Sequence, residues 1–117
     1  MTIRLYGIPN CDTVKKARTW LADRQHDYLF HDFKKAGLDR PTIEGWLQRV
    51  DWQVLVNRKG TTWRALDEAR KASIVDADSA ITLMLENPSV IKRPVLVTAT
   101  HTIVGFSDDT YQQIFKK

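Results

Sequence analysis

Tyr6-Gly7-Ile8-Pro9-Asn10-Cys11-Asp12-Thr13-Val14-Lys15-Lys16-Ala17 decides the fold of this chain. The segment leading into it, Thr2-Ile3-Arg4-Leu5-Tyr6-Gly7, alternates polar and apolar side chains, the period of a half-buried strand. Ile8 to Asp12 is turn chemistry, with Pro9 and Asn10 opening a helix. Val14, Ala17 and Leu21 then recur at helical spacing, with Trp20 beside them. Tyr28 to Phe33 is aromatic-rich and reads as a second strand. A strand, a helix and a strand in this order predict two parallel strands joined by a right-handed crossover.

Downstream, Asp39 reads as an N-cap with Pro41 in the first turn. Ile43, Trp46, Leu47 and Val50 form an apolar helical stripe, and a short helical turn follows around Trp52, Leu55 and Val56. Asn57-Arg58-Lys59-Gly60 is a loop, Thr62 to Leu66 a short helix, and Asp67 to Ser73 polar helix or loop. Asp76 caps a helix carrying Ala80, Ile81, Met84 and Leu85, closed by Asn87-Pro88. Arg93-Pro94 introduces a strand at Val95 to Thr98, whose hairpin partner is Ile103 to Phe106 across a turn near Thr100 and His101. Ser107 caps a last helix with Tyr111, Ile114 and Phe115 facing inward. The layout predicts an α/β, thioredoxin-like fold: β-α-β, a helical insertion at about 39–91, then β-β-α, on a mixed four-stranded sheet. One domain over 1–117 is expected, because no repeat and no linker composition interrupts the chain.

The composition of the 117 residues, 43% hydrophobic and 27% charged, excludes disordered and low-complexity classes. No apolar run exceeds three residues, which leaves no membrane span and no signal-peptide core, and a cytoplasmic protein is expected. The net charge of +4 is dispersed along the chain, so it suits anionic small molecules. Neither a recognition helix nor aromatic-basic interleaving is present, and neither nucleic acid nor membrane is expected as a direct partner. The single cysteine, Cys11, excludes an intramolecular disulfide and an all-cysteine zinc site. His26, His31 and His101 are scattered without metal-ligand spacing, so no metal is expected; His26 reads as an exposed helix-end residue. Trp20, Trp46 and Trp52 lie on apolar stripes and read as core, while Trp63 reads as either structural or site-lining.

Cys11 falls where the first strand turns into the first helix. A helix N-terminus offers free N–H groups and partial positive charge, which stabilise a thiolate. Lys15, one turn on, adds positive charge on the same face, and a low-pKa, reactive thiol is expected. The Arg93-Pro94 bond by itself reads as trans, the form most X-Pro bonds take.

The stretch from Tyr6 to Ala17 resembles the opening of the arsenate-reductase-like (ArsC) family, nearest its short YffB-type branch, relatives of the Spx regulators. His31-Asp32-Phe33, Gly37-Leu38, Leu55 to Arg64, Asn87-Pro88 and Ile91 to Val95 extend the resemblance over almost the whole chain. The resemblance implies a thioredoxin-like fold, a nucleophilic Cys11, a cis Pro94 and a catalytic Arg93 before it. Family arsenate reductases place three arginines around the cysteine. Arg93 matches one, the first falls at Asn57 or Arg58, and the third would follow the hairpin strand, where this chain has Gly105-Phe106. The function implied is thiol reduction with glutathione, or another small anionic thiol, as co-substrate and no tightly bound cofactor. Cys11 and Arg93 are the expected catalytic residues; Asn10, Lys15, Arg58, Arg64 and Pro94 are expected to bind substrate. With Val14 where Spx relatives often carry a second cysteine, an external thiol must resolve any intermediate. A glutaredoxin or a protein thiol substrate is the expected macromolecular partner. A Spx-like regulator gripping RNA polymerase and a genuine arsenate reductase are the alternatives.

Overall fold

The computed structural model describes residues 2–115. Its elements in chain order are β1 (Arg4–Gly7), α1 (Asp12–Asp23), β2 (Leu29–Asp32), α2 (Arg40–Leu47), α3 (Trp52–Leu55), α4 (Thr61–Arg64), α5 (Glu68–Ser73), α6 (Ala77–Glu86), a 3-10 turn at Pro88–Val90, β3 (Val95–Val97), β4 (Thr102–Val104) and α7 (Asp108–Phe115). Two compact units result: residues 1–36 with 93–117, and residues 37–92.

The first unit holds the sheet, in the order β2-β1-β3-β4. β1 and β2 run parallel, Leu5 opposite Phe30, as the α1 crossover requires. β3 is antiparallel to β1, with Tyr6 opposite Val95, and β4 closes a hairpin on β3. This mixed four-stranded sheet with its helices is the α/β, thioredoxin-like arrangement. Ile3, Leu5, Ala17, Trp20, Leu21, Leu96 and Tyr111 form the core, with Phe30, Ile103, Phe106 and Phe115 packed against it. The spacing of α1 thus buries the face its period dictates, while β1 buries Leu5, Tyr6 and Gly7 in succession because it is a central strand covered on both faces.

Gly7 ends β1 where α1 passes closely: a Cβ there would stand 2.9 Å from Cγ2 of Val14. Only the missing side chain lets the strand hand over to the helix at this distance. The helix opens at Asp12 with Cys11 as its N-cap, so Pro9 and Asn10 remain in the preceding turn rather than opening the helix. The hairpin strand is shorter than its apolar pattern suggests. β4 stops at Val104 because Gly105 takes φ +83° and turns the chain out of the sheet. Ser107 Oγ accepts from the N–H of Thr110 and starts α7 as expected.

In the second unit Asp39, Asp51, Asp67 and Asp76 each accept a backbone N–H at a helix start. α2 stops at Leu47, before Val50, although Ile43 and Trp46 are buried. Trp52 corrects the core assignment: it is only half-buried, because it stands at the first position of a one-turn helix. His26 is corrected the other way. It is not exposed but stacked between Trp20, at 5.9 Å, and Phe115, at 4.3 Å, a neighbour supplied by the far end of the chain. No helix among the described residues is long and apolar enough to cross a membrane.

Candidate active site

Cys11 follows β1 at the end of the sheet where Arg93-Pro94 leads into β3, because Tyr6 and Val95 are cross-strand partners of two central strands. Its backbone is extended, φ −130° and ψ 127°, as an N-cap must be, and its carbonyl accepts the first helical bond from Lys15 N–H at 2.9 Å. The Arg93-Pro94 peptide is cis, as the family resemblance implies and the bare X-Pro expectation does not. Pro94 is buried, and its carbonyl accepts the N–H of Gly105 at 2.8 Å, which ties the β4 corner to the proline.

The half-buried thiol has a pKa below the ordinary cysteine value. Partial burial pushes it up, but the N–H of Val14, the Arg93 side chain, the N–H of Thr13 and the Arg93 charge together outweigh that. The thiol makes no capping hydrogen bond of standard geometry, so the helix acts on it through these nearby N–H dipoles. A lowered pKa enlarges the fraction of the thiolate, which is the nucleophilic form of a cysteine. The Thr13 and Val14 amides were legible from their N2 and N3 positions after an N-cap. Gly105, which braces Pro94, had no signal beyond being a glycine after a strand.

The structure therefore gathers Cys11, Arg93 and Pro94, with Asn10 exposed in the turn just before the cysteine. Lys15 is exposed on α1, and the cation that lowers the thiol pKa is Arg93, correcting the role expected of Lys15. Arg58 and Arg64 belong to the helical unit. There the Arg58 guanidinium lies 5.4 Å from the Trp52 ring centre and 5.9 Å from that of Trp63. Arg64 Nε donates to the Lys59 carbonyl at 3.1 Å, and Asn57 Oδ1 accepts the Lys59 N–H at 3.3 Å. Two of the loop's polar side chains thus hold the loop itself. Among the described residues no group of three or more His, Cys, Asp or Glu side chains could hold a metal.

A thioredoxin-like sheet with one cysteine at the first helix cap and a cis proline opposite defines a thiol-chemistry scaffold. The sequence profile of the ArsC family matches residues 6–114, and the chain belongs to that family. An uncharacterized protein of Haemophilus influenzae is 43% identical over 97% of this chain and 98% of its own. The solved structure of a YffB protein superposes with a TM-score of 0.90 at 50% identity, covering 95% of this chain and 96% of that one. The global transcriptional regulator Spx of Streptococcus pyogenes is a more distant relative, 26% identical over 92% of this chain and 80% of its own.

Proposed function

We propose that this protein is a single-cysteine thiol reductase that uses glutathione as its co-substrate. The observation that carries this is a thiol lowered by helix amides and Arg93 in a chain with no second cysteine. The Cys11 thiolate attacks a substrate disulfide, forming a mixed disulfide and releasing the first substrate sulfur as a thiolate. A glutathione thiolate then attacks Cys11 Sγ, releasing the second substrate thiolate and leaving Cys11 joined to glutathione. A second glutathione regenerates the Cys11 thiolate and leaves as oxidised glutathione. The sum is one disulfide and two glutathione molecules in, two thiols and one glutathione disulfide out.

Arg93 serves twice, as the charge beside the thiolate and as a fork for an incoming carboxylate. Within the helical unit Arg58 is the better carboxylate ligand than Arg64 or Asn57, because its guanidinium lies against ring faces while the Arg64 guanidinium and the Asn57 carboxamide oxygen bond to the loop backbone. A cytoplasmic setting suits the cycle, since glutathione keeps thiols reduced there. Arsenate reduction fits less well: Phe106 packs its ring at 4.7 Å on Tyr111 and offers no donor to an oxyanion. The kinship with Spx favours a second reading, a module that grips RNA polymerase.

Amide shifts on titration with reduced glutathione test the proposal. Movement at Cys11, Arg93 and the residues around Pro94, with turnover of a glutathione mixed disulfide that Cys11→Ser abolishes, is the expected result. Silence near Cys11 at millimolar glutathione would overturn it, and retention of RNA polymerase on the immobilised protein would then support the regulator.

A further inference from the structure

We infer that the outer face of α1, from Cys11 to Arg24, is a docking groove for an acidic segment of a disulfide-bearing protein substrate. The inference rests on the thiol-reductase reading and names its substrate class. Lys15, Lys16, Thr19, Asp23, Arg24 and Phe106 line one depression of about 340 Å³, floored by Trp20. Cys11 precedes the depression's first lining residue, Lys15, by one helical turn. Lys15 N–H bonds to the Cys11 carbonyl, so its first cation is one turn from the nucleophile. Phe106 follows Gly105, whose N–H bonds to the Pro94 carbonyl, so its aromatic wall rises beside the proline.

The wall is rigid. The Phe106 ring meets Tyr111 edge-on at 81°, and Tyr111 is fully buried. The floor is fixed too, because Trp20 Nε1 donates to Asp108 at 2.6 Å and Arg24 lies 4.2 Å over the indole. Lys15, Lys16 and Arg24 line the strip with Asp23; Arg24 is paired with Asp108 at 3.4 Å, which leaves Lys15 and Lys16 as the two lining cations that form no ion pair among the described residues. At about 1.5 Å per residue the α1 face from Cys11 to Arg24 runs roughly 20 Å, the span of about six extended residues. Glutathione, a tripeptide, fills half of that. A longer segment with acidic side chains flanking its cysteine matches both length and charge, and such matching acts chiefly on association rate.

The test uses mixed disulfides of thionitrobenzoate with three carriers: a hexapeptide whose cysteine is flanked by glutamates, the same peptide with lysines, and 2-mercaptoethanol. Cys11 Sγ attacks the carrier sulfur, the carrier–thionitrobenzoate bond breaks, and the coloured thiolate leaves with the electron pair. Each peptide rate is divided by the mercaptoethanol rate of the same protein. The glutamate peptide is expected to react at least about threefold faster than the lysine peptide at low salt. That ratio should fall toward one in 1 M salt, where screening acts over about 3 Å. Lys16→Glu with Thr19→Glu, both on the exposed face, should invert it. Equal normalised rates for the two peptides, or a preference that the double variant leaves in place, would overturn the groove while leaving the reactive thiol standing. Failure of all three carriers to react would remove the thiol-reductase reading and the groove with it.

Discussion

Replacing Tyr111 by Phe should make this protein more stable. Tyr111 is fully buried in the sheet unit, between Trp20 at 5.4 Å and Phe106 at 4.7 Å, both edge-on. Its hydroxyl is buried with no hydrogen-bond partner among the described residues, and burial pushes its pKa well above the ordinary phenol value. A hydroxyl taken from water without a partner costs roughly 1–3 kcal/mol in proteins. Phe keeps the ring and its edge contacts, and removes only the oxygen. The vacated space is about one methyl group, for which cores lose about 0.5–1.5 kcal/mol. The difference favours the variant by about 1 kcal/mol, taking the middle of each range. For a chain of this length that corresponds to a melting temperature higher by roughly 3–5 °C. Thermal and urea unfolding at neutral pH would measure it, with Cys11 alkylation as a check that the site is intact. A variant destabilised by 1 kcal/mol or more would refute the reasoning, because it would mean the hydroxyl is satisfied in solution, for instance by a buried water.

Arg93→Ala should move the midpoint of Cys11 alkylation against pH upward. Arg93 lowers the thiol pKa both as a donor and as a charge, so its removal shrinks the thiolate fraction below the thiol's ordinary midpoint; an unchanged iodoacetamide profile would assign the shift to the helix amides alone. Gly105→Arg should lose about 1–2 kcal/mol in unfolding, because φ +83° penalises any Cβ. Restoring an arginine after the hairpin strand is therefore better tried as Phe106→Arg, and arsenate turnover with glutathione and glutaredoxin, run beside an authentic arsenate reductase, should stay low in the parent protein.

Element order, the crossover and the helical insertion were legible because each element carries its own period and its own cap. β1 alternates, α1 repeats at helical spacing, and Asp39, Asp76 and Ser107 announce helix starts with short acceptor side chains. The cysteine's place at a helix cap is likewise local chemistry, readable from Asn10-Cys11-Asp12 and the apolar spacing after it. What periodicity cannot encode is which distant residue completes a contact. Lys15 is near Cys11 in sequence, but Arg93, distant in the chain, supplies the charge, because β3 pairs with β1 and delivers it to the strand end. His26 has a polar side chain at a helix end, yet α7 brings Phe115 over it and closes the stack. Trp52 belongs to an apolar stripe whose helix lasts one turn, so its ring stays half-exposed and meets Arg58 instead of a core. Hydrophobic pattern and caps are properties of neighbouring residues and so are written in the chain. The cation beside the thiol, the bracing of Pro94 by Gly105 and the depth of a ring are properties of residues brought together by strand pairing, and only the tertiary structure decides them.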